Sequence, residues 1–192
     1  MSTRPRLHLV SASPRRREIL TSLDLAFTVV PVAVDETPLD SETPGEMVLR
    51  LAVAKAGAAA VEPGDFALGA DTAVVIDGRA LGKPLDEADC LAMLATLSGR
   101  CHKVLTGVAL AGANGVRTAL SETDVYFREI SRDEALAYWQ SGEPCDKAGA
   151  YAIQGLGGAF VERIEGSYSG VVGLPVFETV ALLKEAGFGV MT

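Results

Sequence analysis

Leu7-His8-Leu9-Val10-Ser11-Ala12-Ser13-Pro14-Arg15-Arg16-Arg17 is the stretch on which the fold turns. Its first four residues read as a short buried strand. Ser13 then stands at a helix N-cap, with Pro14 in the first helical turn, where proline loses no hydrogen bond. Ile19, Leu20 and Leu23 supply the apolar face of that helix. A strand running directly into a helix opens an α/β pattern. The junction also gathers hydroxyls, backbone donors and guanidinium groups, which suits it to hold a phosphate.

The pattern continues along the chain. Phe27 to Val34 reads as extended, broken by Pro31. Thr43-Pro44-Gly45-Glu46 is a capping box that starts a helix through Met47, Val48, Leu51, Ala54 and Ala58, expected to end near Pro63-Gly64. Phe66 to Ile76 reads as a central strand with Asp71 embedded in it, followed by a turn at Gly78 and a loop at Leu81-Gly82-Lys83-Pro84. Asp86 to Leu97 is helical in pattern. Cys101–Ala111 and Arg117–Phe127 form a strand pair across Gly112-Ala113-Asn114-Gly115. A second capping box, Ser131 with Glu134, precedes a helix to about Gln140. A glycine-rich return over Asp146 to Gly155, a strand over Phe160 to Ile164 and a last helix from Pro175 complete the chain. The expectation is an α/β fold with a mixed central sheet flanked by helices, residues 1–192 forming one domain.

Composition narrows the function. The chain has 192 residues, 48% hydrophobic, and a net charge of −8, which disfavours a general nucleic-acid surface. No apolar run is long enough to span a membrane, and the opening residues lack a secretory pattern, so a cytoplasmic protein is expected. Cys90, Cys101 and Cys145 have neither disulfide-framework nor CxxC spacing. Residues 11–17 do not spell a Walker A loop, and no G-x-G-x-x-G follows the first strand.

Against that acidic background, Arg15 and Arg16 stand out. Positive charge at a helix N-terminus is unfavourable unless an anion offsets it; the alternative is a solvated basic patch. Lys55 and Lys83 extend the same electropositive set or are surface lysines. Asp146-Lys147 is a structural ion pair or a charged turn beside substrate. Asp71, in an otherwise apolar strand, is a general base or metal-water ligand, or a strand carboxylate paired with a lysine. Glu36 offers a second carboxylate across the cleft. Two carboxylates and Mg²⁺ make a consistent phosphoryl site.

Taken together, these blocks resemble the Maf family of nucleoside triphosphate pyrophosphatases. The resemblance rests on Ser11-Ala12-Ser13-Pro14-Arg15-Arg16, Asp35-Glu36, Lys55, Gly69-Ala70-Asp71-Thr72, Gly82-Lys83-Pro84, Asp146-Lys147-Ala148-Gly149-Ala150-Tyr151 with Ile153-Gln154-Gly155, and Val161 to Tyr168 with Val171-Val172-Gly173-Leu174-Pro175. They cover nearly the whole chain. The resemblance implies a Maf/inosine-triphosphatase-like fold with two lobes around a substrate cleft, and cleavage between the α and β phosphates of a nucleoside triphosphate. It makes Asp71 the proton acceptor and links Arg15, Thr72 and Gln154 to substrate choice. Thr72 and Gln154 point to the dTTP/UTP branch rather than the 7-methyl-GTP branch. Ala152 stands where many relatives carry glycine, a difference in backbone freedom.

The expected site is therefore as follows. Ser11, Ser13, Arg15, Arg16, Lys55 and Lys83 hold phosphates. Asp71 activates water, and Glu36 and Asp71 help hold Mg²⁺, Mn²⁺ or Co²⁺. Thr72 and Gln154 read the base by neutral hydrogen bonds. A homodimer is expected, with a nucleoside triphosphate as ligand and neither nucleic acid nor membrane as partner. The rivals are a 7-methyl-GTP or modified-nucleotide pyrophosphatase, and a nucleotide-binding regulator of cell division with little hydrolysis.

Overall fold

In the computed structural model, which describes residues 5–190, the strand-to-helix opening is present. β1 (Leu7–Leu9) feeds α1 (Pro14–Ser22), and β2 (Phe27–Val29) returns parallel to β1. Then come α2 (Pro44–Ala58), β3 (Phe66–Ile76), β4 (Arg79–Leu81), α3 (Glu87–Leu97), β5 (Cys101–Gly112), β6 (Gly115–Phe127) and α4 (Arg132–Gln140). Three 3₁₀ turns over 143–160 lead to β7 (Val161–Glu165), α5 (Tyr168–Val172) and α6 (Val176–Glu185). The strands form one mixed sheet in the order β2-β1-β3-β5-β6-β7, with β4 beside the far end of β3. No helix of the described residues is long and apolar enough to cross a membrane.

Both capping boxes form: Thr43 with Glu46, and Ser131 with Glu134, each exchange side-chain and backbone bonds. β3 has the bounds its apolar run predicts. Other elements differ for identifiable reasons. The extended segment after Phe27 stays paired only to Val29, because β1 ends at Leu9 and offers no further backbone partners. α2 stops at Ala58, short of Pro63, because Ala59 already has extended backbone angles (φ −80°, ψ 123°). α5 and β4 were not expected. β4 follows from Asp77-Gly78, whose φ values of 51° and 74° are those of a type I′ hairpin turn. Ala152 is not among the left-handed residues, so its backbone does not require a glycine.

The two sheet faces are built differently. α2 lies close along one face. Alanine and valine side chains on it (Val48, Ala52, Ala56) meet Ala73, Val75, Leu105 and Ala109. Two glycines permit the approach: a Cβ on Gly69 would lie 2.4 Å from the Ala52 carbonyl oxygen, and one on Gly107 would lie 2.6 Å from that of Val48. The opposite face carries two separate apolar cores. One unites Leu7, Leu9, Leu20, Leu68, Val108 and Leu183. The other unites Val74, Ile76, Leu94, Val104, Phe127 and Phe160. Between them, on that same face, stand the paired residues Thr72 and Thr106. This polar seam divides the molecule into two lobes on one continuous sheet.

Candidate active site

The cleft follows from how β3 is paired. Its residues 66–68 pair with β1 and its residues 74–76 pair with β4, both on the edge opposite β5. Over 69–73 that edge has no strand beside it among the described residues. β1 leaves at Val10, whose N–H bonds the Leu68 carbonyl, and becomes the Ser11–Arg16 junction. β4 leaves into Gly82-Lys83. Ligand sites in open α/β sheets form at such points of divergence. A cleft of about 690 Å³ opens there, and its walls include all ten residues singled out from the sequence: Ser11, Ser13, Arg15, Arg16, Glu36, Lys55, Asp71, Thr72, Lys83 and Gln154.

Successive residues of a strand face opposite ways, so Asp71 and Thr72 serve the cleft from different sides of the sheet. On the α2 side, Lys55 sits on the sheet-facing stripe of the helix, with Leu51 and Ala52. Its ammonium lies 2.6 Å from Asp71 Oδ1 and 2.6 Å from Glu36 Oε1. Asp71 is thus paired with a lysine, as the structural reading of it held, but the pair faces an open strand edge and a third charged group. Glu36 is held below the usual carboxylate range, first by its bond from Lys55, with Lys83 and Arg16 adding at longer range.

On the other side, Arg16 donates from Nε to the Gly173 carbonyl at 2.8 Å, from Nη1 to Ser11 Oγ at 3.3 Å and from Nη2 to Thr72 Oγ1 at 3.2 Å. Thr106 Oγ1 donates to the Gly170 carbonyl at 2.8 Å, and Thr72 and Thr106 share a hydrogen bond of 3.0 Å. Each hydroxyl has one proton. Thr106 spends its proton on Gly170, so Thr72 donates to Thr106 and accepts from Arg16. Thr72 therefore faces a ligand as an acceptor only. Burial pulls Arg16 below its usual range, Asp71 opposes that, and Arg15 adds to it. Its remaining N–H groups form a charge short of solvent, suited to an anion.

Arg15 is differently placed. Its one ion-pair partner among the described residues is Asp146, 3.9 Å away across the cleft. Ser13 occupies the N-cap position of α1 but its side chain makes no capping bond, and the first turn has no acidic residue. The hydroxyl and the first N–H groups of α1 are left for a ligand. Lys83 lies in the loop fixed by a hydrogen bond from Gly149 N–H to the Gly82 carbonyl. Gln154 is exposed at the tip of the 151–157 loop. Sequence reasoning left Lys147 open between two roles; it pairs with Asp146 and lines the same cleft. Tyr151, also in the wall, has no site role assigned from the sequence; its place inside the glycine-rich return and the block around it is the signal it carries. No group of three or more His, Cys, Asp or Glu side chains among the described residues gathers as a metal site.

A family model described as Maf-like protein matches residues 6–186. The dTTP/UTP pyrophosphatase of Hahella chejuensis is 53% identical over 188 residues, covering 96% of this chain and 94% of that one. The dTTP/UTP pyrophosphatase of Methylobacillus flagellatus is 49% identical over 188 residues, with the same coverage of 96% and 94%. Among solved structures, the Staphylococcus aureus Ham1 protein aligns with a TM-score of 0.45 at 17% identity, over 66% of this chain and 72% of that one.

Proposed function

The chain belongs to the Maf family, and on that premise we propose that it hydrolyses dTTP and UTP to the nucleoside monophosphate and pyrophosphate. The observation that carries this reading is the open edge of β3. It presents a carboxylate, Asp71, on one side and an anion cradle of Arg16, Ser11 and the α1 N-terminus on the other.

In this reading the triphosphate lies along the cleft. Arg15, Arg16, Lys83 and the hydroxyls of Ser11 and Ser13 surround its oxygens and stabilise the charge that shifts to pyrophosphate. Asp71 takes the proton of the attacking water, which adds to the α-phosphorus as the bond to the bridging oxygen breaks. Lys55 pairs with Asp71 and holds its carboxylate aimed at the open edge. Gln154 meets the base, and Thr72 fixes Arg16 while offering one acceptor.

A divalent cation fits these residues. Asp71 and Glu36 already share one cation, the Lys55 ammonium, so their oxygens converge on positive charge. With two carboxylates from the protein, the remaining ligands would be phosphate oxygens and water, as Mg²⁺ prefers. When bound, the ion neutralises phosphate charge.

A nucleotide panel with separation of the products tests the proposal. Turnover of dTTP and UTP with release of pyrophosphate is expected. Preference for 7-methyl-GTP, release of orthophosphate, or tight binding without hydrolysis would each overturn it.

A further inference from the structure

Beside the charged floor of the cleft, one carboxylate organises the whole loop that carries Gln154. Glu143 begins the first 3₁₀ turn after α4. Its Oε2 accepts the N–H of Leu156 at 3.0 Å. Its Oε1 accepts the N–H of Gly157 at 3.0 Å and the hydroxyl of Tyr138 at 2.7 Å. The Tyr138 hydroxyl in turn accepts the N–H of Ala152 at 3.0 Å. The backbone is therefore tied at 152 on one side of Gln154 and at 156 and 157 on the other. Gln154 stands exposed between the ties.

The loop sequence is fitted to this pair. A Cβ on Gly155 would lie 2.2 Å from Glu143 Oε2, and one on Gly157 would lie 2.6 Å from the Tyr138 hydroxyl. Two of the loop's glycines thus let the carboxylate and the phenol press against the chain. Tyr138 is buried, and its ring meets Phe160 edge-on at 5.1 Å. Burial pushes the Glu143 carboxyl up, but the bonds from Gly157, Tyr138 and Leu156 outweigh it and hold the group below its usual range. Neither side chain lines the cleft.

We propose that Glu143 and Tyr138 are a specificity-positioning pair: by fixing both ends of the Gln154 loop, they set the enzyme's preference for a pyrimidine base. This rests on the dTTP/UTP reading and on Gln154 meeting the base. The phosphate-binding groups hang on other elements, so the pair governs base selection separately from the phosphate grip. The same 3₁₀ turn ends at Asp146, which faces Arg15, and this places the base-reading loop at a set distance from that grip.

The test compares Tyr138→Phe and Glu143→Gln with wild type. Tyr138→Phe keeps the ring and deletes the oxygen that joins Glu143 to Ala152. Glu143→Gln exchanges one acceptor oxygen for a donor. The readouts are kcat and KM for dTTP and for dGTP, and the inhibition constant of inorganic tripolyphosphate, which has phosphates and no base. The expected result is a fall of about tenfold in the dTTP-over-dGTP preference, the worth of about one hydrogen bond. The fall should lie mainly in KM for dTTP, with tripolyphosphate inhibition unchanged. An unchanged preference in a folded variant overturns the proposal. So does a parallel loss of tripolyphosphate inhibition, which marks a general loosening of the cleft. If Glu143→Gln fails to fold, Tyr138→Phe decides alone. Lack of dTTP preference in the wild type itself would instead refute the functional reading, and the pair's role with it.

Discussion

The Lys55 ammonium stands 2.6 Å from the Asp71 carboxylate, joining the helix that covers the sheet to the strand edge where the cleft opens. Because Lys55 also bonds Glu36, Asp71→Asn leaves the lysine with a charged partner. The fold should survive that change. Turnover of dTTP should fall at least about 100-fold, the usual worth of a positioned base, while the melting temperature moves by only a few degrees. Steady-state kinetics beside a thermal melt checks both.

The two neighbouring arginines should separate under mutation. Arg16→Ala strands the Gly173 carbonyl, Ser11 and Thr72 together, so it should cost about 1–3 kcal/mol of stability as well as activity. Lysine there should not rescue it, since an ammonium cannot span three fixed acceptors as a guanidinium does. Arg15→Ala breaks no hydrogen bond among the described residues and meets only Asp146 at 3.9 Å. It should raise KM for the triphosphate and leave the melt nearly unchanged.

The close seat of α2 gives a packing test. Gly69→Ala puts a methyl 2.4 Å from the Ala52 carbonyl. The helix must lift, at a cost of about 1–3 kcal/mol, carrying Lys55 away from Asp71 and lowering turnover. Gly57, on the same helix, has open space where its Cβ would be. Gly57→Ala should instead stabilise by about 0.5–1 kcal/mol through helix propensity.

His102 predicts an acid-side loss of stability. It is buried among Phe127 and Tyr151, with Nε2 bonded to the Tyr151 hydroxyl at 2.9 Å and Nδ1 without a partner among the described residues. Burial lowers its pKa from 6.5 to about 4. As pH falls from 6.5 towards 4, the unfolded chain takes a proton that the folded protein refuses. Stability should drop by about 1.4 kcal/mol per pH unit across that window. The strongly held carboxylates Glu42 and Glu134, brought down to about 2 by Arg50 and Arg128, lose their contribution only below their ordinary value of 4.5. Denaturant titrations at several pH values should therefore show the slope between 6.5 and 4.5 in the wild type and a flatter profile in His102→Gln.

Local chemistry made much of this molecule legible. The two capping boxes, the bounds of β3 and the β5–β6 hairpin follow from short-range patterns, and those patterns survive in the fold. The residues that meet in the cleft were also visible, because a charge in an apolar strand or at a helix start is locally anomalous. What the sequence could not display is how they meet. Lys55 carries the helical periodicity of an apolar stripe, but only the glycines at 69 and 107 bring that stripe down onto Asp71. Thr106 reads as an ordinary strand residue until its pairing with Thr72 orients the hydroxyl chain to Arg16. β4 is not legible despite the Asp77-Gly78 turn before it, because three residues carry too little pattern to announce a strand.

Hydrolysis of dTTP in ¹⁸O-labelled water, with a divalent cation present and the products separated, tests the central claim most directly. Attack at the α-phosphorus predicts the label in the nucleoside monophosphate, unlabelled pyrophosphate, and the loss of both products in Asp71→Asn. Label in pyrophosphate or orthophosphate, or undiminished turnover by Asp71→Asn, would contradict it.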